Sequence, residues 1–350
     1  MKKNLFLLFI CISSLGSAQA PYQKSIDRIL KGVIDPSGGP GLTVGIVKEG
    51  QLIYQNSFGL MNLEYKLPFN DSTVIGLASV TKQFTSACVG ILAKRGQVSV
   101  QDDIRKYIPE LAFYGDTIRI KHLLAHTSGI RNHNILLDLM GFDFEYQGYT
   151  NAMIEQLMFQ QQGVNNPPGE KMLYSNTNYV LLALLVKRVS GRPIHEFAQK
   201  ELFEPLGMNK TFYRSDGQEV IANRAYTYFK RGPRYKQPRS LNLCVGAGGM
   251  KSTLPDLARW AQIFLEPNHE YAYLRQFITQ LDTLNNGSPM KHARGMFVSP
   301  YRNYQTFNHS GRNIAMRSQL ICVPELKLAV LVYANTNAID AVGVSYQILD

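Results

Sequence analysis

The chain has 350 residues, of which 45% are hydrophobic and 18% are charged, and this composition excludes a disordered protein. Its formal net charge is +11, but the lysines and arginines are scattered along the sequence. The densest basic segment, 230–236, contains Gly and Pro, which favours a solvated loop over a polyanion site. Since no RNA-binding or zinc-finger motif occurs, we expect no nucleic acid partner.

The first twenty residues have the layout of a secretory signal peptide. Lys2 and Lys3 are followed by an apolar stretch at 5–12 and by small residues that end at Ala18 and Ala20. We therefore predict a signal peptide at 1–20, with cleavage after Ala18 or Ala20, and an exported protein that is periplasmic or secreted. No later segment reaches the roughly 18 apolar residues that a membrane-spanning helix needs, so no transmembrane anchor is expected.

Three cysteines remain once the predicted signal peptide is removed: Cys88, Cys244 and Cys322. They are an odd number, lie far apart in apolar surroundings and form no Cys-x-x-Cys pair. These features argue against a disulfide framework and favour small buried hydrophobic residues.

Patterns near both ends of the chain predict β-strands. A short helix is expected at 26–33, followed by a hairpin of strands 42–48 and 51–56 joined at Glu49-Gly50. Towards the other end, strands are expected at 295–299, 304–309, 318–322 and 328–334, before a closing helix at 338–349.

The middle of the chain, at roughly 80–285, carries helical periods instead. Helices are expected at 81–95, 118–125, 151–161, 177–189, 194–202 and 254–265. Strands at both ends, mainly within 42–70 and 295–335, predict one sheet that the two ends build together, with a helical region inserted between them. We therefore predict an α/β fold class, in the α+β sense, with residues 21–350 as a single domain.

Ser79 and Lys82 are three residues apart at the head of the helix predicted at 81–95. Residues at this spacing share a helix face, so the Lys82 amine can approach the Ser79 hydroxyl. A desolvated, neutral amine is a base that can activate a serine nucleophile, and the helix N-terminus offers N–H groups to an oxyanion. Ser-x-x-Lys recurs at 288–291, and by itself the pattern fits a helix cap as well as a nucleophile.

Two further polar triplets contain side chains suited to proton transfer or substrate binding. Tyr174 and Asn176, two residues apart before a helical run, supply a phenol for proton relay and an amide for substrate binding, although four other Tyr-x-Asn triplets occur. His309-Ser310-Gly311 ends a candidate strand, where glycine permits close approach of a substrate. His309 there either carries charge or a proton, or is a strand-end histidine bonded to its neighbours.

In this order and spacing, the three elements resemble the serine β-lactamase and penicillin-binding protein superfamily, specifically its class C-like branch. The surrounding segments strengthen the resemblance, which covers about residues 42–335. These segments are His122-Leu123-Leu124-Ala125-His126-Thr127-Ser128-Gly129, Pro168-Gly169-Glu170, Glu204-Pro205-Leu206-Gly207-Met208 and Gly248-Gly249-Met250. The resemblance implies a β-lactamase/DD-peptidase-like fold, in which an antiparallel sheet from both chain ends is flanked by helices beside an all-helical region.

The resemblance also implies roles for individual residues. Ser79 is expected to be the acylated nucleophile, with Lys82 as its base. Tyr174 is expected to be the second proton carrier and Asn176 to contact a substrate amide. The substrate would also lie against His309, Gly311 and Arg312, with the oxyanion on the backbone N–H groups of Ser79 and Arg312. The reaction implied is acyl transfer to Ser79, followed by hydrolysis.

Two departures from the family pattern bear on specificity. His309 stands where true β-lactamases usually have lysine, which favours a peptidase or an esterase over efficient β-lactam hydrolysis. Arg312 stands where glycine often follows the triplet, so that it either narrows the pocket or binds an anionic group of the substrate. A class C-like β-lactamase and a binding or sensor protein without turnover remain the alternatives.

Other classes of enzyme fit the sequence less well. His122 and His126 have the spacing of zinc ligands, but His-Glu-x-x-His is absent and no metal site is predicted. The sequence has no Gly-x-Ser-x-Gly elbow, dinucleotide fingerprint or Walker A motif, so we expect neither an α/β-hydrolase nor a cofactor. The expected partner is a small-molecule or peptide substrate, such as a cell-wall-derived D-amino-acid peptide, an ester or a β-lactam; the oligomeric state is open.

Overall fold

The computed structural model describes residues 21–36, 38–239 and 242–350, so the predicted signal peptide lies outside the described residues. The α-helices of these ranges are α1 (Pro21–Val33), α2 (Lys82–Lys94), α3 (Ile120–Leu124), α4 (His133–Leu139), α5 (Asn151–Phe159), α6 (Asn176–Ser190), α7 (Ile194–Ala198), α8 (Leu254–Leu265), α9 (Ala272–Thr279) and α10 (Ala341–Leu349). Within the same ranges, no helix is both long and apolar enough to cross a membrane.

The strands form one large sheet and several small ones. They are β1 (Leu42–Lys48), β2 (Gln51–Phe58), β3 (Leu60–Asn62), β4 (Leu67–Pro68), β5 (Ile75–Gly76), β6 (Phe212–Tyr213), β7 (Phe229–Arg231), β8 (Arg234–Lys236), β9 (Met250–Ser252), β10 (Phe297–Tyr301), β11 (Tyr304–Arg312), β12 (Arg317–Val323) and β13 (Leu328–Ala334). The large sheet is antiparallel, in the order β10-β11-β12-β13-β1-β2. The predicted fold, a sheet from both chain ends with helices between them, is confirmed.

Helices cover both faces of this sheet, which explains why its central strands are buried along nearly their whole length. Side chains alternate between the faces. On one face, Val330 and Val332 belong to an apolar cluster with Leu30 of α1 and Val344 of α10. The opposite face of β13, including Leu331, belongs to the main core.

The main core also contains α2 and α6, which pack together beside the sheet. Both helices are buried on all sides along most of their length, as expected for helices inside a large domain. The buried indole of Trp260 in α8 donates a hydrogen bond to Gln83 Oε1 at 2.8 Å. This bond links α8 to α2.

The elements differ from the predicted ones mainly where they are short. α8 has the predicted bounds, and α2 is preceded by a 3-10 helix at Ala78–Thr81. The predicted helix at 194–202 is instead α7 followed by a π-helical turn at Gln199–Phe203. α4, α9 and the strands β5 to β9 were not predicted, and two- and three-residue strands have too few residues to show a period. Cys88, Cys244 and Cys322 are buried, free thiols.

Candidate active site

Ser79 lies in the 3-10 turn that leads into α2 and lines a large cavity. The preceding residue, Ala78, has a φ of +47°, a strained conformation for a residue with a side chain. The turn is held against the sheet because Ser318 Oγ of β12 donates a hydrogen bond to the Leu77 carbonyl at 2.8 Å. The serine is thereby fixed at the junction between the sheet and the helical layer.

The amine of Lys82 is directed at Ser79. Its Nζ lies 3.2 Å from Ser79 Oγ and donates to Asn176 Oδ1 and to the Ala247 carbonyl, both at 2.8 Å. The side chain is completely buried, and no carboxylate of the described residues pairs with it. Burial lowers the pKa of Lys82 to about 7, against a weaker opposing effect of Cys244. A substantial neutral fraction is therefore available at neutral pH.

Tyr174 forms a group of three polar side chains together with Ser79 and Lys82. Burial raises the pKa of its phenol, while a hydrogen bond with Ser79 acts in the opposite direction. The ring lies 5.0 Å from Lys82 Nζ and stacks against the His126 imidazole, with ring centroids 4.1 Å apart. Tyr174 is therefore a protonated phenol at neutral pH, in contact with both predicted partners.

Asn176 begins α6 and bridges Lys82 to Asn134, which no sequence pattern indicated. Its Oδ1 accepts from Lys82, and its Nδ2 donates to Asn134 Oδ1 at 2.7 Å. The Ala247 carbonyl, the other acceptor for Lys82, was missed as well. The glycine-rich run around it was a usable signal, since a Cβ at Gly246 would lie 2.3 Å from the Tyr179 carbonyl of α6.

Strand β11 brings His309, Gly311 and Arg312 next to the Ser79 turn at the cavity wall. A Cβ on Gly311 would lie 2.5 Å from the Leu77 carbonyl and 2.9 Å from the Ser79 nitrogen, so only glycine fits against the serine turn. Arg312 is exposed and lines the cavity. All seven predicted site residues thus lie at or beside one cavity wall, while their roles stay predictions.

His309 is buried rather than presented as a cation. Its Nδ1 donates to the Ser310 carbonyl at 2.5 Å, and burial, followed by the charge of Lys82, lowers its pKa to about 3. A neutral imidazole fits a histidine bonded to its neighbours better than a positive charge facing a carboxylate. The predicted strand end at 309 is wrong, because β11 continues to Arg312 and His309 lies within it. The ring belongs to a buried aromatic group with Tyr174, His126 and His292, which sequence reasoning missed.

His122 and His126 each accept a hydrogen bond from a backbone N–H group. His122 Nδ1 accepts the backbone N–H of Arg119 at 3.2 Å at the start of α3. His126 Nδ1 accepts the backbone N–H of Ser175 at 3.2 Å, next to Tyr174. His126 therefore supports the position of Tyr174.

A family model described as Beta-lactamase matches residues 26–348, and the chain belongs to this family. It is 30% identical over 289 residues to "Penicillin-binding protein 4*" of Bacillus subtilis (strain 168), covering 77% of this chain and 62% of that protein. It is 26% identical over 324 residues to "Protein flp" of Staphylococcus aureus (strain N315), covering 90% of this chain and 64% of that protein. The chain thus spans less than two thirds of these curated relatives.

Solved structures share the fold. An octameric penicillin-binding protein homologue from Pyrococcus abyssi matches with a TM-score of 0.80 at 24% identity, covering 93% of this chain and 76% of that one. A D-amino acid amidase from Ochrobactrum anthropi SV3, complexed with L-phenylalanine amide, matches with a TM-score of 0.75 at 20% identity, covering 93% and 97%. At these identities the likeness establishes the fold, and the family as a whole supports a hydrolase.

Proposed function

We propose that this protein is an exported serine hydrolase that cleaves an amide or ester bond through an acyl-enzyme on Ser79. The observation that carries the proposal is the buried Lys82 amine, 3.2 Å from Ser79 Oγ, with a pKa lowered to about 7. A buried lysine without a carboxylate partner is costly to keep in a fold, and such perturbed groups cluster at functional sites.

The geometry supports a two-step mechanism. Neutral Lys82 takes the Ser79 proton as the oxygen attacks the carbonyl carbon, and the N–H groups of Ser79 and Arg312 hold the oxyanion. Collapse breaks the C–N or C–O bond, and Tyr174 passes a proton to the departing amine or alcohol while Lys82 reprotonates Tyr174. Water then attacks the acyl-enzyme with the same groups in reverse roles, which releases the acid and frees Ser79.

The substrate we propose is a peptide with D-amino acids or a small ester. Of the similar proteins described above, two are named a penicillin-binding protein or a homologue of one, and one is named a D-amino acid amidase. The neutral, buried His309 supports the same choice, because the lysine of true β-lactamases is absent at this position. A class C-like β-lactamase and a non-turnover binding protein are the outcomes that the experiment must separate.

The test is intact-mass spectrometry of the wild-type chain and its Ser79→Ala variant, each after brief and long incubation with a fluorophosphonate and with a penicillin. A fluorophosphonate adduct on the wild type alone establishes an activated Ser79. A lasting penicilloyl mass identifies either a penicillin-binding peptidase or a binding protein without turnover, and hydrolysis of a D-alanyl-D-alanine peptide by the peptidase alone separates these two. A vanishing penicilloyl mass with consumed drug identifies a β-lactamase. A fluorophosphonate adduct without a penicillin adduct identifies an esterase or aminopeptidase. If neither reagent marks Ser79, the hydrolase proposal fails.

The same spectra test export. When the full chain is expressed in a bacterium with a secretion pathway, we expect the recovered mass to lack residues 1–18 or 1–20. Recovery of the intact 350-residue chain from the cytoplasm would contradict export, without bearing on the chemistry at Ser79.

A further inference from the structure

The cavity that contains Ser79 has a strongly unbalanced charge. Its volume is about 770 Å³, large enough for a substrate of several residues. Of the described residues that line it, none is Asp or Glu. Its basic lining residues are Arg214, Arg224, Arg239, Lys251 and Arg312.

Three of these residues are brought together by the small sheet β5-β9-β6 and its flanking loops. Lys251 lies in the central strand β9, paired with Gly76 on one side and with Phe212 on the other. Arg214 extends the β6 edge, since its backbone N–H donates to the Gly249 carbonyl at 3.0 Å. Arg224 joins through a bridge to Val74, just before β5. We call Arg214, Arg224 and Lys251 the cationic wall.

The charges of the cationic wall act on one another. Burial, and then the charges of Arg214 and Arg224, lower the pKa of Lys251 to about 8. Burial and the charge of Arg224 also lower the pKa of Arg214, against the weaker opposing effects of Glu219 and Asp216. Holding like charges together has a free-energy cost in the empty site, which a bound anion would remove.

All three members of the cationic wall are cations, and the carboxylates of Asp216 and Glu219 act on Arg214 only from beyond ion-pair distance. Within the described ranges, none of its three members forms an ion pair. Arg214 donates from Nη2 to the Gly217 carbonyl at 3.0 Å, and its buried Nε has no hydrogen-bond partner. By contrast, the buried Arg294 outside the cavity is paired with Asp282 through two 3.2 Å hydrogen bonds. Unpaired, half-buried cations that face a catalytic cavity are suited to an anionic ligand.

We propose that the cationic wall binds an anionic group of the substrate, a carboxylate or a phosphate, while Ser79 attacks the amide or ester bond. The inference rests on the proposed function and adds the substrate class: a molecule with negative charge at a distance from the scissile bond. Arg312, on the strand beside Ser79, is a separate cation. The cationic wall is a second position at which an anionic group of the substrate would bind.

The kinetic test compares two esters that differ in one charge. 4-Nitrophenyl pentanoate and mono-4-nitrophenyl glutarate have acyl chains of equal carbon number, and only the second carries a carboxylate. The readout is the ratio of kcat/KM for the anionic ester to that for the neutral one. We expect Lys251→Met and Arg214→Met each to lower this ratio about tenfold, as for a lost charge-assisted contact. The matched control Arg234→Met removes an exposed cation of β8 and should leave the ratio unchanged.

A binding test does not depend on turnover. The Ser79→Ala variant is titrated calorimetrically with glutarate and with inorganic phosphate at low salt, with and without Lys251→Met. Binding of either anion that is lost in Lys251→Met supports the cationic wall, even if no ester is hydrolysed and the proposed function fails. Preference for glutarate or for phosphate identifies the group. Failure of both anions to bind, or hydrolysis with a ratio that neither Lys251→Met nor Arg214→Met changes, would overturn the inference.

Discussion

The imidazole of His126 stacks on the ring of Tyr174, with centroids 4.1 Å apart and planes inclined by 31°. The same imidazole accepts the backbone N–H of Ser175 at 3.2 Å. His126 has a φ of +58°, which is unusual for a residue other than glycine. Burial, with smaller contributions from neighbouring charges, lowers its pKa well below the usual range, so it is neutral. His126 therefore holds the Tyr174 phenol in place as a neutral group, without placing a positive charge beside it.

His126→Ala is expected to lower kcat with little change in KM, because it leaves Ser79 and Lys82 intact but frees the Tyr174 ring. A displacement of about 1 Å can cost up to about 100-fold. The measurement is steady-state kinetics with 4-nitrophenyl pentanoate, alongside fluorophosphonate labelling of Ser79. His195→Ala, on α7 and outside the cavity lining, is the control. An equal loss in both variants would contradict a positioning role for His126.

The rate of Ser79 acylation should rise with pH through about 7, since burial lowers the pKa of Lys82 to that value and we propose its neutral amine as the base. Below this pH the amine is protonated and the rate should fall about tenfold per pH unit. Fluorophosphonate labelling across pH 5 to 9 measures the profile. A pH-independent rate over the range would rule out Lys82 as the base.

Asn176→Asp should move that pH profile upward. The substitution puts a carboxylate where Oδ1 now accepts from Lys82 at 2.8 Å, and an opposite charge this close raises a lysine pKa by about one unit or more. Fluorophosphonate labelling of Ser79 at pH 7 should therefore be slower than in the wild type, and its rate should recover at higher pH. Asn134→Asp, which is one hydrogen bond further from Lys82, is the control and should produce a smaller shift.

Gly311→Ala should lower acylation about 100-fold or more, because the new Cβ would lie 2.5 Å from the Leu77 carbonyl and displace the Ser79 turn. Gly32→Ala in α1 is the matched control, since a Cβ there meets nothing within 4 Å. Fluorophosphonate labelling and a melting curve for each variant separate local displacement from unfolding. Full activity of Gly311→Ala would show that the strand can move away from the serine.

The parts of the site that the sequence predicted are the local ones. Ser79 and Lys82 are three residues apart, so helix geometry alone predicts their contact. The acceptors of Lys82 are distant: Ala247 is separated from it by 165 residues and Asn176 by 94. Asn176 was a candidate from its triplet and received its role from the family resemblance. The contacts made by Ala247, by Asn134 and between His126 and His292 were not predicted, because sequence periodicity carries no information on contacts between distant residues.

The same contrast applies to the fold. β1 and β13 were predicted with their observed bounds, because long apolar strands and turns have strong local signals. The small sheet β5-β9-β6, which carries the cationic wall, was missed because none of its strands exceeds three residues. Its strands exist because the surrounding domain pairs them, and their own sequence preferences contribute little.

The pairing of β1 with β13 sets the order in which the chain can fold. Leu42 pairs with Ala334 and Lys48 with Leu328, so the centre of the large sheet joins a strand that precedes the helical region to one that follows it, and the ribosome makes the second strand much later than the first. During synthesis the apolar β1 has β2 beside it but an open edge on its other side, where nascent chains can associate. We therefore expect slow, late folding and a dependence on chaperones before β13 arrives.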